Sequence, residues 1–236
     1  HLPDVLAPDG GKLSKRSGAQ AVAELREAGA LPAAIVNYLS LLGWSHPDER
    51  EILTREELIE AVDLDRVGAA DTRFDPDKIR WVGQQHVARL SDEEVVRALR
   101  PRLEAAGLEG EPLRWVAGAL RSRLATFGEV EAHLDFLTVG DADRQAAVAS
   151  SGVEGDISTL FDTAAVYLGG LDDWEPGAVK TAIASAGKAV GRRGRALFVP
   201  LRLATTGQEH GPDLATLLAA LGRDEAIRRL RTAAIA

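Results

Sequence analysis

Apolar residues recur along this chain at helical rather than alternating spacing, and most runs are bracketed by helix start and stop chemistry. Pro32 stands at a first helical position ahead of Ile35, Val36, Leu39 and Leu42, and Gly43 follows as a left-handed stop. Thr54 and Glu57 have the spacing of a capping box ahead of Leu58 and Val62. Asp75-Pro76 opens a run whose inner face holds Ile79, Val82, His86 and Leu90. Ser91 with Glu94 makes a second box, whose helix carries Val95, Leu99 and Leu103 to Gly107. Pro112 opens the next, with Val116, Leu120 and Leu124, and Thr126 with Glu129 makes a third box ahead of Leu134 and Leu137.

The same pattern continues beyond Gly140, with a helix over 141–151 and a segment capped by Ser158 that carries Leu160, Phe161 and Val166. Pro176 leads Val179, Ile183 and Val190 toward Gly191, and apolar segments at 196–204 and 214–221 precede Gly222, Ile227 and Leu230. About a dozen helices result, and the fold class is all-α. Asp4 to Leu6, before the Asp9-Gly10-Gly11 turn, is the one strand-like piece. No Pro, Gly or Ser-rich linker divides the chain. The helix starts place domain boundaries near Ser91 and Gly140, giving 1–90, 91–139 and 140–236.

Composition narrows the function classes. The chain has 236 residues, 45% hydrophobic and 27% charged, enough to bury an ordinary core. Its apolar stretches are too short or too interrupted to cross a bilayer, and no secretory leader opens it, so a cytoplasmic protein with no membrane partner is expected. It has no cysteine, and its five histidines are dispersed, so no structural metal is expected. It has no methionine either and begins at His1, which reads as a fragment or processed product.

The net charge of −8 argues against a polyanionic partner until its distribution is considered. Between Glu175 and Glu209 no acid occurs, while Lys180, Lys188, Arg192, Arg193, Arg195 and Arg202 make the window net +6. An acidic body with one basic stripe suits a nucleic acid steered to one face; a solvated helix beside a glycine-rich turn is the alternative.

The stretch richest in chemistry is Asp9-Gly10-Gly11-Lys12-Leu13-Ser14-Lys15-Arg16-Ser17-Gly18, where two lysines flank a serine between glycines. An ammonium placed beside triphosphate oxygens stabilises the charge that builds on a leaving pyrophosphate. Alone, such a loop is more often a basic surface turn.

Its context resembles the second signature of class I aminoacyl-tRNA synthetases, in the Lys-Leu-Ser-Lys-Arg form common in the glutamyl-tRNA synthetase family. The stretches Leu31 to Trp44, Gly194 to Arg202 and His210 to Leu214 are similar to that family in order and spacing. The resemblance implies a bacterial-type C-terminal half of a ligase that activates glutamate with ATP and Mg2+ and charges tRNA(Glu), with tRNA(Gln) a second candidate. Lys15 would contact ATP, and Lys12 and Ser14 would shape the loop. Ser17 to about Leu90 would be a stem-contact region, and the rest an all-helical anticodon-binding part. The family's other signature is absent from this sequence, which places the nucleotide-binding domain upstream of His1 and leaves this chain alone unable to activate glutamate.

Arg123, three residues before Thr126, would accept the third anticodon base, with Arg121 as the alternative. Lys188, Arg192, Arg193, Arg195 and Arg202 would position the RNA around Gly191 and Gly194. Trp44, Trp81, Trp115 and Trp174 fit core positions better than stacking platforms. A monomer is expected, and a noncatalytic tRNA-binding or scaffold module derived from such an enzyme is the alternative function.

Overall fold

The computed structural model describes residues 4–11, 13, 22–152 and 155–234. Twelve α-helices occur among them. They are α1 (Val22–Glu27), α2 (Pro32–Ser40), α3 (Arg55–Ala61), α4 (Pro76–Ala88), α5 (Asp92–Ala105), α6 (Gly110–Leu120), α7 (Asp141–Ser150), α8 (Ile157–Gly169), α9 (Pro176–Ala189), α10 (Arg195–Thr206), α11 (Leu214–Leu221) and α12 (Arg223–Ala234). Short 3-10 turns cover Leu64–Arg66, Phe127–His133 and Asp135–Leu137. The all-α expectation holds, with one addition: β1 (Val5–Leu6) pairs in parallel with β2 (Thr72–Arg73), a partner with no strand signature of its own.

Several local expectations are corrected. Gly43 does not stop α2; the helix closes at Leu41 in the right-handed region, whose N–H reaches the Asn37 and Tyr38 carbonyls. The inner face of α2 is Ala34, Ile35, Asn37 and Tyr38, whereas Val36 and Leu39 are each 50% exposed. One helix starts at Gly110, two residues before Pro112. The cap of α8 is Asp156, which accepts from Thr159 N, and not Ser158. At the third expected box the Glu129 carboxylate accepts from Ala125 N rather than Thr126 N, and the segment winds as a 3-10 turn. The boxes at Thr54/Glu57 and Ser91/Glu94 form as read.

The chain divides into two compact units. The first comprises His1–Val95 and Arg121–Val130, the second Val96–Leu120 and Glu131–Ala236. In the first, α2 packs on α4 through Ala34, Tyr38 and Val82, and a smaller cluster holds Trp44, Leu53 and Leu58. A buried polar node crosses it. Asn37 donates to the Glu51 carbonyl at 3.0 Å, and its Oδ1 accepts from Leu53 N at 3.0 Å and from His86 Nε2 at 2.9 Å. Because Asn37 Oδ1 is an acceptor, His86 is the Nε2–H tautomer. Burial, and secondarily the Arg89 charge, holds that imidazole below its ordinary pKa.

In the second unit α8 packs on α9 and α12, α9 on α11, and α10 on α7 and α12. Leu160, Phe161, Leu168, Val179, Ile183, Leu201, Leu218 and Leu230 lie in the shared core. Two arginines sit in this unit almost without solvent, Arg144 at 2% and Arg229 at 3% exposure. Arg144 donates to the Ala204 carbonyl at 3.1 Å and to Asp141. Arg229 donates to the carbonyls of Phe136 (2.5 Å), Thr205 (2.7 Å) and Leu137 (3.1 Å) and to Glu225 (2.6 Å). Arg228 joins Glu225 to Asp141. Hydrogen bonds from Arg228 and Arg229 hold the Glu225 carboxyl down at about 2.

Candidate nucleic-acid interface

The helix α10 begins after Gly194, whose φ of 53° is in the left-handed region, and ends at Gly207, with φ of 71°. Pro200 lies inside it and provides no N–H for the Ala196 carbonyl, which instead accepts from Arg192 Nη1 at 3.4 Å. Four residues apart on this helix, Phe198 and Arg202 share a face. Phe198 is 41% exposed. Arg202 is half-buried and donates from Nη2 to the Pro212 carbonyl at 2.7 Å.

That bond anchors the loop between α10 and α11, which Arg195 also holds through Glu209. Asp213 then caps α11 by accepting from Thr216 N at 3.0 Å. Lys180, Ile183, Phe198, Arg202, Asp213 and Leu214 thereby line a concavity of about 290 Å³. It pairs an exposed aromatic face with two cations, the Asp213 carboxylate and an apolar floor. Such a site can stack a flat ring, donate to acceptor atoms on its edge and neutralise an attached phosphate. Arg144 and Arg229 hold the carbonyls of Ala204 and Thr205, fixing the last turn of α10.

Around this concavity the basic stripe separates into two kinds of residue. Lys188, in the last turn of α9, and Arg193 are exposed, and their side chains make no hydrogen bond or ion pair among the described residues. Lys180 is likewise exposed and without such a partner. Arg192 instead braces the fold, donating to the carbonyls of Asp156 and Ala196. Arg195, exposed, and Arg202, half-buried, both hold the loop. Phe198 was not singled out from the sequence as a contact residue; its i, i+4 spacing to Arg202 is the signal that could have found it.

Arg121 and Arg123 belong to the first unit. Arg121 Nη1 donates to the Leu90 carbonyl at 3.2 Å and to Asp92 at 2.7 Å, tying it to the α4–α5 junction. Arg123 is exposed and makes no such contact among the described residues. Lys12, Ser14 and Lys15 lie outside the described residues, as does Arg16.

The tryptophans take structural places. Trp44 is buried, Trp174 donates to the Ala219 carbonyl at 3.1 Å, Trp115 packs on the second core, and Trp81 lies under Lys78. Among the described residues no group of three His, Cys, Asp or Glu could hold a metal ion, and no helix is long and apolar enough to cross a membrane.

Comparison with known proteins adds two family matches. An anticodon binding domain matches residues 94–234, and the catalytic domain of class I tRNA synthetases (E and Q) matches residues 1–81. The chain is 38% identical to glutamate–tRNA ligase 1 of Acidithiobacillus ferrooxidans over 99% of its own length and 51% of that protein. To the glutamate–tRNA ligase of Natranaerobius thermophilus it is 34% identical, over 98% of the chain and 49% of the relative. Among solved structures, the glutamate-tRNA synthetase from Elizabethkingia anophelis superposes with a TM-score of 0.84 at 26% identity, covering 100% of this chain and 50% of that one. A glutamate tRNA ligase from Elizabethkingia meningosepticum, in complex with its amino acid, gives 0.80 at 27%, covering 100% and 51%. The chain therefore spans about half the length of the relatives it matches.

Proposed function

We propose, from the premise that this chain belongs to the glutamate–tRNA ligase family and carries its anticodon binding domain, that it is the tRNA-recognising portion of an enzyme that activates glutamate with ATP and transfers it to the 3′ end of tRNA(Glu). The observation that carries this reading is the concavity between α9, α10 and α11. Anticodon bases are unstacked and present a ring face and a polar edge. Phe198 stacks on one such base. The Arg202 fork, held in place by the Pro212 carbonyl, meets its edge. Lys180, Lys188, Arg193 and Arg195 draw in the backbone phosphates and set the register of the RNA.

Arg123 reads the third anticodon base, which distinguishes tRNA(Glu) from tRNA(Gln). In the whole enzyme Lys15 holds the phosphates of ATP, accompanied by Mg2+, as pyrophosphate leaves, and Lys12 and Ser14 shape that loop. The protein works as a cytoplasmic monomer.

Fluorescence anisotropy with the anticodon stem-loop of tRNA(Glu) tests the reading. Phe198→Ala weakens binding by roughly 5- to 150-fold, the loss of about 1–3 kcal/mol for one stacked base. Arg193→Ala weakens it less and lowers the salt slope by about 0.7. Equal affinity for a stem-loop with scrambled anticodon bases would reject the assignment. In the full-length enzyme, Lys15→Ala slows ATP–pyrophosphate exchange and leaves tRNA affinity nearly intact; normal exchange would remove Lys15 from the ATP step.

A further inference from the structure

Arg123 sits on a segment that is fastened to the first unit on every side, and we infer that these fastenings aim it: Arg121, Gly83 and Gly128 are positioning residues for base discrimination. The inference rests on the reading of Arg123 given above.

Upstream, Arg121 clamps the segment to the α4–α5 junction through the Leu90 carbonyl and the Asp92 carboxylate. Downstream, two backbone bonds join it to the α1–α2 turn, Phe127 N to the Gly29 carbonyl at 3.1 Å and Gly128 N to the Ala28 carbonyl at 2.9 Å. Glu129 is bound by Arg80 of α4, and the same carboxylate takes Ala125 N–H at 2.9 Å. Leu124 and Ala125, directly after Arg123, are buried.

Two glycines make this approach possible. A Cβ on Gly128 would stand 2.7 Å from the Ala28 carbonyl oxygen, and one on Gly83 would stand 2.6 Å from the Ala125 carbonyl oxygen. Both neighbours are backbone, so a methyl group at either position moves the segment rather than a side chain. Arg123 is the solvent-facing cation on this fastened stretch. A long arginine stem distinguishes one base edge from another only where its Cα is held, because displacement of about 1 Å breaks a bidentate contact. Affinity that rests on phosphate contacts tolerates such displacement.

The test measures the affinity of the chain for anticodon stem-loops of tRNA(Glu) and tRNA(Gln), taken as a ratio, in Arg121→Gln, Gly128→Ala, Arg123→Ala and the double variant Arg121→Gln/Arg123→Ala. Arg121→Gln and Gly128→Ala are expected to lower the ratio by about tenfold, comparable to Arg123→Ala, while affinity for the tRNA(Gln) stem-loop stays within about twofold. The double variant falls no further than Arg123→Ala, because Arg121 acts through Arg123. Arg121→Lys, which keeps a donor to the same acceptors, restores part of the ratio. Arg121 is at the surface, so its variants carry the test should Gly128→Ala unfold. A wild-type ratio in Arg121→Gln, beside a collapsed one in Arg123→Ala, overturns the positioning role and leaves the reading of Arg123 standing. A wild-type ratio in Arg123→Ala overturns both.

Discussion

The two units keep polar groups in their cores by opposite means. In the first, the node is neutral: Asn37, His86, the Leu53 N–H and the Glu51 carbonyl satisfy one another without formal charge. In the second, beside the hydroxyls of Thr205 and Thr206 that bond within α10, the buried charged groups are cations: Arg144 and Arg229 donate to backbone carbonyls as well as to Asp141 and Glu225. A neutral amide can join three chain segments at modest desolvation cost. A guanidinium costs more to bury but presents five donors, enough to gather the carbonyl ends of a 3-10 turn and of α10 at one point. That point includes the last turn of α10, the helix that bears Phe198 and Arg202, so a displaced backbone there would distort the concavity they line. Charge in the second unit thus fixes a helix end, whereas the neutral node of the first holds together α2, α4 and the irregular stretch through Glu51 and Leu53.

The comparison is broken most severely by removing one guanidinium. Arg229→Met strands the buried carbonyls of Phe136 and Thr205 and the partly buried one of Leu137, leaves Glu225 with Arg228 alone, and should lower the stability of the second unit by about 3–5 kcal/mol, read from urea unfolding. Native-state hydrogen exchange should place the loss in α10 and α12, with the first unit unchanged. A loss below about 1 kcal/mol would mean that the carbonyls find other donors. Asn37→Leu is the counterpart. It leaves the Leu53 N–H and the Glu51 carbonyl unpaired and should cost about 2–3 kcal/mol, confined to the first unit.

Acid separates the units by window rather than by size. His86 is depressed in the folded state, so above about 6.5, the ordinary imidazole value, folded and unfolded chains are both neutral there and stability is full. As pH falls below that value the unfolded chain binds a proton that the folded one resists, and stability is lost until the folded pKa is passed. Glu225 has the same sign in a lower window. Its contribution is complete above about 4.3 and is lost as pH falls toward about 2. Hydrogen exchange at pH 7.0 and about 5.5 should therefore show the first unit weakened and the second unaffected, and His86→Gln should flatten the difference. Equal weakening of both units would contradict the assignment of the two windows.

The helices were largely legible because their ends are written locally. The Thr54/Glu57 and Ser91/Glu94 boxes, Pro32, Pro76 and Pro176 at helix starts, and Gly107, Gly191 and Gly222 after helix ends all act within one turn of their own position. What could not be read is set by distant partners. Thr72–Arg73 becomes a strand only because Val5–Leu6 lies beside it, and Glu129 leaves Thr126 because Ala125 N–H and Arg80 compete for its carboxylate. Arg144 and Arg229 carry no local sign of burial, yet both are core. The stripe of cations was visible as a charge window. Which of them face solvent was not, because that depends on carbonyls freed by Pro200 and on the path of the loop through Glu209 and Pro212.

The smallest effect sharpens the reading of α2. Of the periodic set Ile35, Val36, Leu39 and Leu42, Ile35 is buried and Leu42 packs on the core, but Val36 and Leu39 turn outward: the inner face is Ala34, Ile35, Asn37 and Tyr38, since the buried amide of Asn37 has to meet Leu53 and His86 and turns the helix accordingly. Tyr38 follows, its hydroxyl accepting from Asp75 N at 2.7 Å and donating to the Asp75 carbonyl at 3.2 Å, which joins α2 to the cap of α4. With both polar groups satisfied in this rotation, Leu39 is left half in water. Leu39→Ala should then change stability by no more than about 0.5 kcal/mol, the range of surface substitutions, whereas a core leucine would cost about 2–5 kcal/mol. A cost of about 2 kcal/mol or more in urea unfolding would show that Leu39 is covered in solution and that the hydrophobic period, rather than the Asn37 node, sets the orientation of α2.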